Sequence, residues 1–128
     1  MKKLTLALVA LAALLAATSI AVASRKPDHD EAVAITKAFK HTKLAGLNRV
    51  ASHFNVVRIR ISTVNPRYAR ANLNAKPRYR NTFQNGYGVA RYRLVAPKRW
   101  VVIDVGSSGV GCGKVPRAVR KDLKLTCP

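Results

Sequence analysis

From Val56 onward the apolar residues recur at every second position in four short runs separated by turn residues. Val57, Ile59 and Ile61 alternate with Arg58, Arg60 and Ser62. Asn65-Pro66 turns the chain, and Ala69, Ala71 and Leu73 then alternate with Tyr68, Arg70 and Asn72. Residues 74–82 (NAKPRYRNT) read as a basic loop and Asn85-Gly86 as a further turn. Ala90, Tyr92 and Leu94 alternate with Val89, Arg91 and Arg93; Ala96-Pro97-Lys98 makes the third turn, and residues 100–105 form the most apolar run. A period of two puts successive side chains on opposite faces, so each run is a strand with one apolar and one wet face. Connections this short join antiparallel neighbours, which predicts a four-stranded antiparallel meander.

An apolar sheet face needs a cover. Ala32, Ile35, Ala38 and Phe39 recur at helical spacing behind Asp28, Asp30 and Glu31, acids that suit the free N–H groups and positive dipole end of a helix. Lys37, Lys40 and Lys43 gather toward its other end. A helix is predicted over about residues 28–42 and ends before Gly46 and Asn48, with Leu44, Leu47 and Val50 adding a short second turn. After the strands comes the glycine-rich loop GSSGVGCG, then Pro116 as the first residue of a short helix with Val119 and Leu123 on its apolar edge. The predicted class is α+β: an N-terminal helix on the meander and a short C-terminal helix.

The first 23 residues are of another kind. Lys2-Lys3 precedes an apolar run over residues 4–22, and Ala21-Val22-Ala23 supplies the small residues of a signal-peptidase site. The expected organisation is a signal peptide over residues 1–23, cleaved after Ala23, and a single small domain over residues 24–128. An uncleaved membrane anchor is the alternative, since 19 apolar residues just span a bilayer. Both place the domain outside the cytoplasm, secreted or at the cell surface. In that compartment the only two cysteines, Cys112 and Cys127, read as one disulfide.

Few residues are equipped for chemistry. The strand–glycine loop–helix order of VVIDVGSSGVGCGKVPRAV imitates a nucleotide-binding turn, but Gly113-Lys114 is followed by Val115 instead of Ser or Thr. No C-x-x-C motif is present, and no His has zinc-ligand spacing to a Cys. Ser107, His53 and Asp104 can be grouped as a triad on paper, yet nothing in their spacing demands it. No catalytic residue, metal site or cofactor is therefore expected.

Charge carries more weight. Between Glu31 and Asp104 lie 72 residues with 15 Lys and Arg and no acid. Without Lys2 and Lys3 the domain has 22 basic and five acidic residues, a formal +17. Solubility alone asks for only about 2–8 charges in a small domain. In the predicted meander Arg58, Arg60, Arg70, Arg91 and Arg93 share the face turned away from the helix, where like charges opposite each other are destabilising unless anions occupy them. Arg78 and Arg80, with Tyr79 between them, form a mobile rim. The expected role is non-enzymatic binding of an extracytoplasmic polyanion: cell-wall polymer, anionic lipid or nucleic acid. The alternative is a protein-interaction or inhibitor module using the same sheet face.

The tail Trp100-x-Val102-x-Asp104-x-Gly106, Cys112, Pro116-x-x-Val119-x-x-Asp122-Leu123, Cys127 resembles that of small exported bacterial proteins of unknown function. The resemblance covers about the last 30 residues. It implies the signal peptide, the helix-plus-sheet domain and a Cys112–Cys127 bridge, and it carries no activity. The order of helix then meander is also similar in outline to cystatin-like folds, without a match to their protease-binding loops.

Overall fold

A computed structural model describes residues 23–128. The signal-peptide expectation lies, apart from Ala23, outside the described residues. Helix α1 spans His29–His41, followed by a 3-10 segment, Leu44–His53. Strands β1 (Phe54–Ile61), β2 (Tyr68–Ala75), β3 (Gly86–Arg93) and β4 (Arg99–Gly106) follow, with a 3-10 turn at Pro77–Tyr79 between β2 and β3. Helix α2 is Arg117–Asp122. The sheet runs β1-β2-β3-β4, every pair antiparallel, as the alternation predicts. Strands β1, β3 and β4 begin one to three residues earlier than periodicity shows, and the expected face Val57, Ile59 and Ile61 is corrected in β1: a bulge between Val57 and Arg60 shifts the phase, so that Phe54 and Val56 join Ile59 and Ile61 at the core while Val57 pairs with Asn72 on the other face.

Asp28 caps α1 in a capping box. The Glu31 N–H donates to Asp28 Oδ1 at 2.8 Å, and the Asp28 N–H donates to Glu31 Oε1 at 3.0 Å. Arg25 adds two parallel hydrogen bonds of 2.8 Å to the Glu31 carboxylate, tying the N-terminal segment, whose Arg25 bridges Ile61 of β1, to the helix start. That guanidinium, aided by the Asp28 N–H and opposed by partial burial, holds the Glu31 carboxyl down at about 2. A folded-state pKa below the ordinary value stabilises fully above about pH 4.5, and the stabilisation drains away as pH falls toward 2. Glu31→Gln is therefore expected to cost on the order of 1 kcal/mol at pH 7, since Arg25 is half exposed. Urea unfolding of both proteins over pH 7 to 2 should show that difference shrinking across the acid range.

Two cores lie on opposite faces of the sheet. Toward α1, Ile35 and Phe39 bury themselves against Phe54, Ile61, Ala69, Ala71, Leu73, Ala90 and Val102. The middle of this face is Ala, Gly and Ala, and the shortness of these side chains lets the helix sit close. At Gly88 a Cβ would lie 2.4 Å from Phe39 Cε1.

The other face is not open. Tyr68 and Val89, which the alternation assigns to the outside, pack with Val110, Val115, Val119, Leu123 and Leu125. The C-terminal segment thus forms a third layer, closed by the Cys112–Cys127 disulfide with Cα atoms 5.7 Å apart. Polar anchors hold it at both ends of the sheet. The Gly111 N–H donates to Asp104 Oδ2 at 2.8 Å. The buried Ser62 hydroxyl donates to Asp122 Oδ2 at 2.7 Å, and the Thr63 N–H donates to the same oxygen at 2.9 Å. The expectation of a wet sheet face is corrected here: a second apolar cluster at the chain's end needs cover and finds it on Tyr68 and Val89.

Candidate polyanion-binding surface

The seven arginines expected to form one surface are divided by the fold. Arg60 and Arg70 stand directly opposite each other on β1 and β2, the like-charge pairing the alternation implies. Both are compensated from within. Arg60 donates through Nε to Ser24 Oγ at 3.2 Å and through Nη2 to the Ser24 carbonyl. Arg70 donates through Nη1 to the Leu123 carbonyl at 3.2 Å and the Lys124 carbonyl at 2.7 Å, satisfying orphan carbonyls at the end of α2. Its guanidinium lies 4.4 Å from the centre of the Tyr87 ring. These two guanidinium groups are therefore engaged by oxygens of the protein itself, which satisfy their donors and hold them against the sheet. Arg58 is exposed at a bulge on the edge strand β1, in the left-handed region at φ 51°.

The remaining four lie at opposite ends of the sheet. In an antiparallel meander β1 and β3 begin where β2 and β4 end. Arg78 and Arg80 lie at that β2–β3 end, while Arg91 and Arg93 are on β3 near its other end, beside the β3–β4 hairpin. No single face holds all of them.

The β2–β3 end carries one of two groups of exposed positive charge. The segment joining α1 to β1 brings Lys40, Lys43 and Arg49 to the end that carries Lys76, Arg78 and Arg80. The Lys40 ammonium donates to the Ala51 and Phe54 carbonyls and sits 4.1 Å from the centre of the Phe54 ring. Burial, and then the charge of Lys76, push it below the ordinary lysine range. Tyr79 stacks on His53 with ring centres 4.0 Å apart and planes inclined 13°, and the Lys76 N–H donates to the His53 carbonyl at 2.8 Å. The basic loop is thus docked on His53 through Tyr79 and Lys76, with Arg78 and Arg80 exposed on either side of Tyr79. Lys43, Gly46, Asn48 and Arg49 line a shallow cleft on the segment between α1 and β1.

The acids are elsewhere or occupied. Asp28, Asp30 and Glu31 begin α1 and Asp122 ends α2, all toward the opposite end of the sheet. Asp104 faces the third layer, committed to Gly111 and to Lys114 Nζ at 3.6 Å. Lys40 was not singled out by sequence reasoning as a neighbour of the 76–80 loop. Its helical position was legible, but its approach to Lys76 is a tertiary effect.

The paper triad comes apart as well. His53 adjoins edge strand β1 and stacks on Tyr79, whereas Asp104 is on the other edge strand, across a sheet about 14 Å wide. Among the described residues no group of three or more His, Cys, Asp or Glu side chains is arranged to hold a metal, and no helix is long and apolar enough to cross a membrane. A groove of 690 Å³ between α1 and β4 has Asp30 and Glu31 on one wall and Lys98, Arg99 and Trp100 on the other. Its mixed charge selects neither anion nor cation. Comparison with protein families, curated proteins and solved structures finds no match to this chain.

Proposed function

We propose that this chain is an extracytoplasmic, non-enzymatic polyanion-binding protein whose binding surface is the β2–β3 end. The carrying observation is that Lys43, Arg49, Lys76, Arg78 and Arg80 all belong to segments at this end, where Tyr79 stacks on His53, while the acids lie elsewhere or are engaged. Mutual repulsion at such a surface costs stability, and phosphate or sulfate groups relieve it. The stacked Tyr79 adds an aromatic edge beside guanidinium groups, a combination suited to a chain of repeating anionic units. A disulfide and the apolar run over residues 4–22 support the extracytoplasmic location.

Affinity of the domain for heparin and for duplex DNA across a salt series tests the reading. Arg78→Ser with Arg80→Ser is expected to weaken binding several-fold and to reduce the slope of log K against log salt on DNA by about 1.8, two phosphate contacts' worth. Arg70→Ser should lower stability through the lost α2 carbonyl contacts and leave the slope unchanged. Equal affinity and equal slope in the parent and the Arg78/Arg80 variant would remove this surface as the binding site.

A further inference from the structure

We propose that the opposite end of the sheet docks on an anionic lipid bilayer, with the tip of the β3–β4 hairpin as the inserting element. The exposed large apolar residues are not scattered evenly. Among the described residues they are Val33, Leu44, Val64, Leu94 and Val95, and three of these five lie on the two turns at this one end. Leu94 is 53% and Val95 69% exposed, and they are followed by exposed Ala96 and Pro97, so the whole hairpin tip is apolar. Val64, 56% exposed, is on the neighbouring β1–β2 turn. The turns are laced together. The Tyr92 N–H donates to the Arg67 carbonyl at 2.7 Å, and Arg67 Nε donates to the Tyr92 carbonyl at 3.3 Å. At ordinary strand spacing their centres are about 10 Å apart.

A ring of cations stands directly behind the tip. Arg91, Arg93, Lys98 and Arg99 are all exposed, and Arg93 is paired across the hairpin with Arg99. Like charges placed opposite one another are unfavourable without a counterion. Lipid phosphates at the depth of this ring would supply one, while Leu94 and Val95 pass the headgroups. The acids at this end lie on the helices, not on the hairpin. Glu31 is held by Arg25 and Asp122 by Ser62 and Thr63, while Asp28 caps α1 and Asp30, in its first turn, faces Lys98 and Arg99 across the groove and leaves Arg91 and Arg93 to the lipid. Leu94, Val95, Ala96 and Pro97 lie beyond the last ladder pair, Arg93 and Arg99, as an exposed apolar tip suited to a fluid apolar phase. Ala23, which follows directly on the apolar run over residues 4–22, is at the same end, its carbonyl accepting from Thr63 Oγ at 3.3 Å.

The proposal stands apart from the polyanion surface, which is at the other end of the sheet. Both cores lie within residues 24–128, so that domain is the material to test, free of the N-terminal apolar run. Co-sedimentation would be measured with vesicles of phosphatidylcholine alone and with about one-third phosphatidylglycerol, for the parent, Leu94→Ser with Val95→Ser, and Arg93→Ser with Arg99→Ser. The expected result is binding to the anionic vesicles only. The apolar variant should lower the partition coefficient by about tenfold and leave heparin affinity unchanged. The arginine variant should lower it by roughly 25-fold, about fivefold per cation. All four positions are exposed, and unchanged thermal unfolding would confirm intact folds. Anionic-vesicle binding by the Leu94/Val95 variant equal to the parent's would overturn insertion of the tip. Equal binding of the parent to neutral vesicles would overturn the role of the ring, and no vesicle binding at all would overturn the whole proposal. A protein partner in place of lipid would show as that last outcome.

Discussion

Replacing Cys112 and Cys127 together by Ser is expected to cost about 3 kcal/mol of folding stability, the chain-entropy cost of opening a loop of this size. The bridge spans a sequence separation of 15 residues and closes the segment that supplies the third layer. That layer has one short helix of six residues and little regular structure besides. Apart from the bridge it is held by Val110, Val115, Val119, Leu123 and Leu125 on Tyr68 and Val89, and by the Asp104, Asp122 and Arg70 contacts. The loss is therefore expected to be uneven. Amide hydrogen exchange in the variant should accelerate first over residues 107–128, with β2 and β3 remaining protected, because the α1 core does not touch the bridge. The two measurements to make are urea unfolding and site-resolved exchange. Unchanged stability in the double Ser variant would mean that packing alone holds the third layer.

Gly88→Ala is the second large effect expected, a loss of about 2–3 kcal/mol from overpacking. A methyl group there would meet Phe39 Cε1 at 2.4 Å and the Asp104 carbonyl oxygen at 3.1 Å. Phe39 is fully buried and cannot swing into solvent. The backbone contact with β4 is tight but tolerable after a small shift, so the ring is the main obstacle. Phe39→Leu by itself removes ring volume and should cost about 1–2 kcal/mol. Combined, the two changes are expected to cost less than their sum, since each relieves the other's misfit. A double-mutant cycle by urea unfolding checks this, and simple additivity would place the strain on the β4 backbone.

The gathering of charge had a different fate from the fold. Period-two patterning is a strong signal because a one-residue slip would turn every apolar side chain to water, so Ala69, Ala71, Leu73 and Ala90 announce their face without help. The capping box of α1 is likewise local, its partners three residues apart. The same alternation placed Tyr68 and Val89 on the outer face, and two apolar residues among arginines were the available clue that this face is covered. Residue spacing alone cannot tell whether an arginine beside them meets an anion, water or a carbonyl of the chain itself. Arg60 reaches Ser24 across a sequence separation of 36 residues, and Arg70 reaches Leu123 across 53.

By itself, then, the sequence determined the four strands, their antiparallel order, the capped helix on one face and the pairing of the two cysteines, because each follows from periodicity, short connections or the presence of two thiols and no more. Tertiary structure decided which charges are free. It engaged Arg60 with Ser24 and Arg70 with the Leu123 and Lys124 carbonyls, brought Lys40 near Lys76, and left Arg91, Arg93, Lys98 and Arg99 behind an apolar tip. Electrostatic partnership acts through space at a few ångströms, and distance along the chain carries almost no information about it.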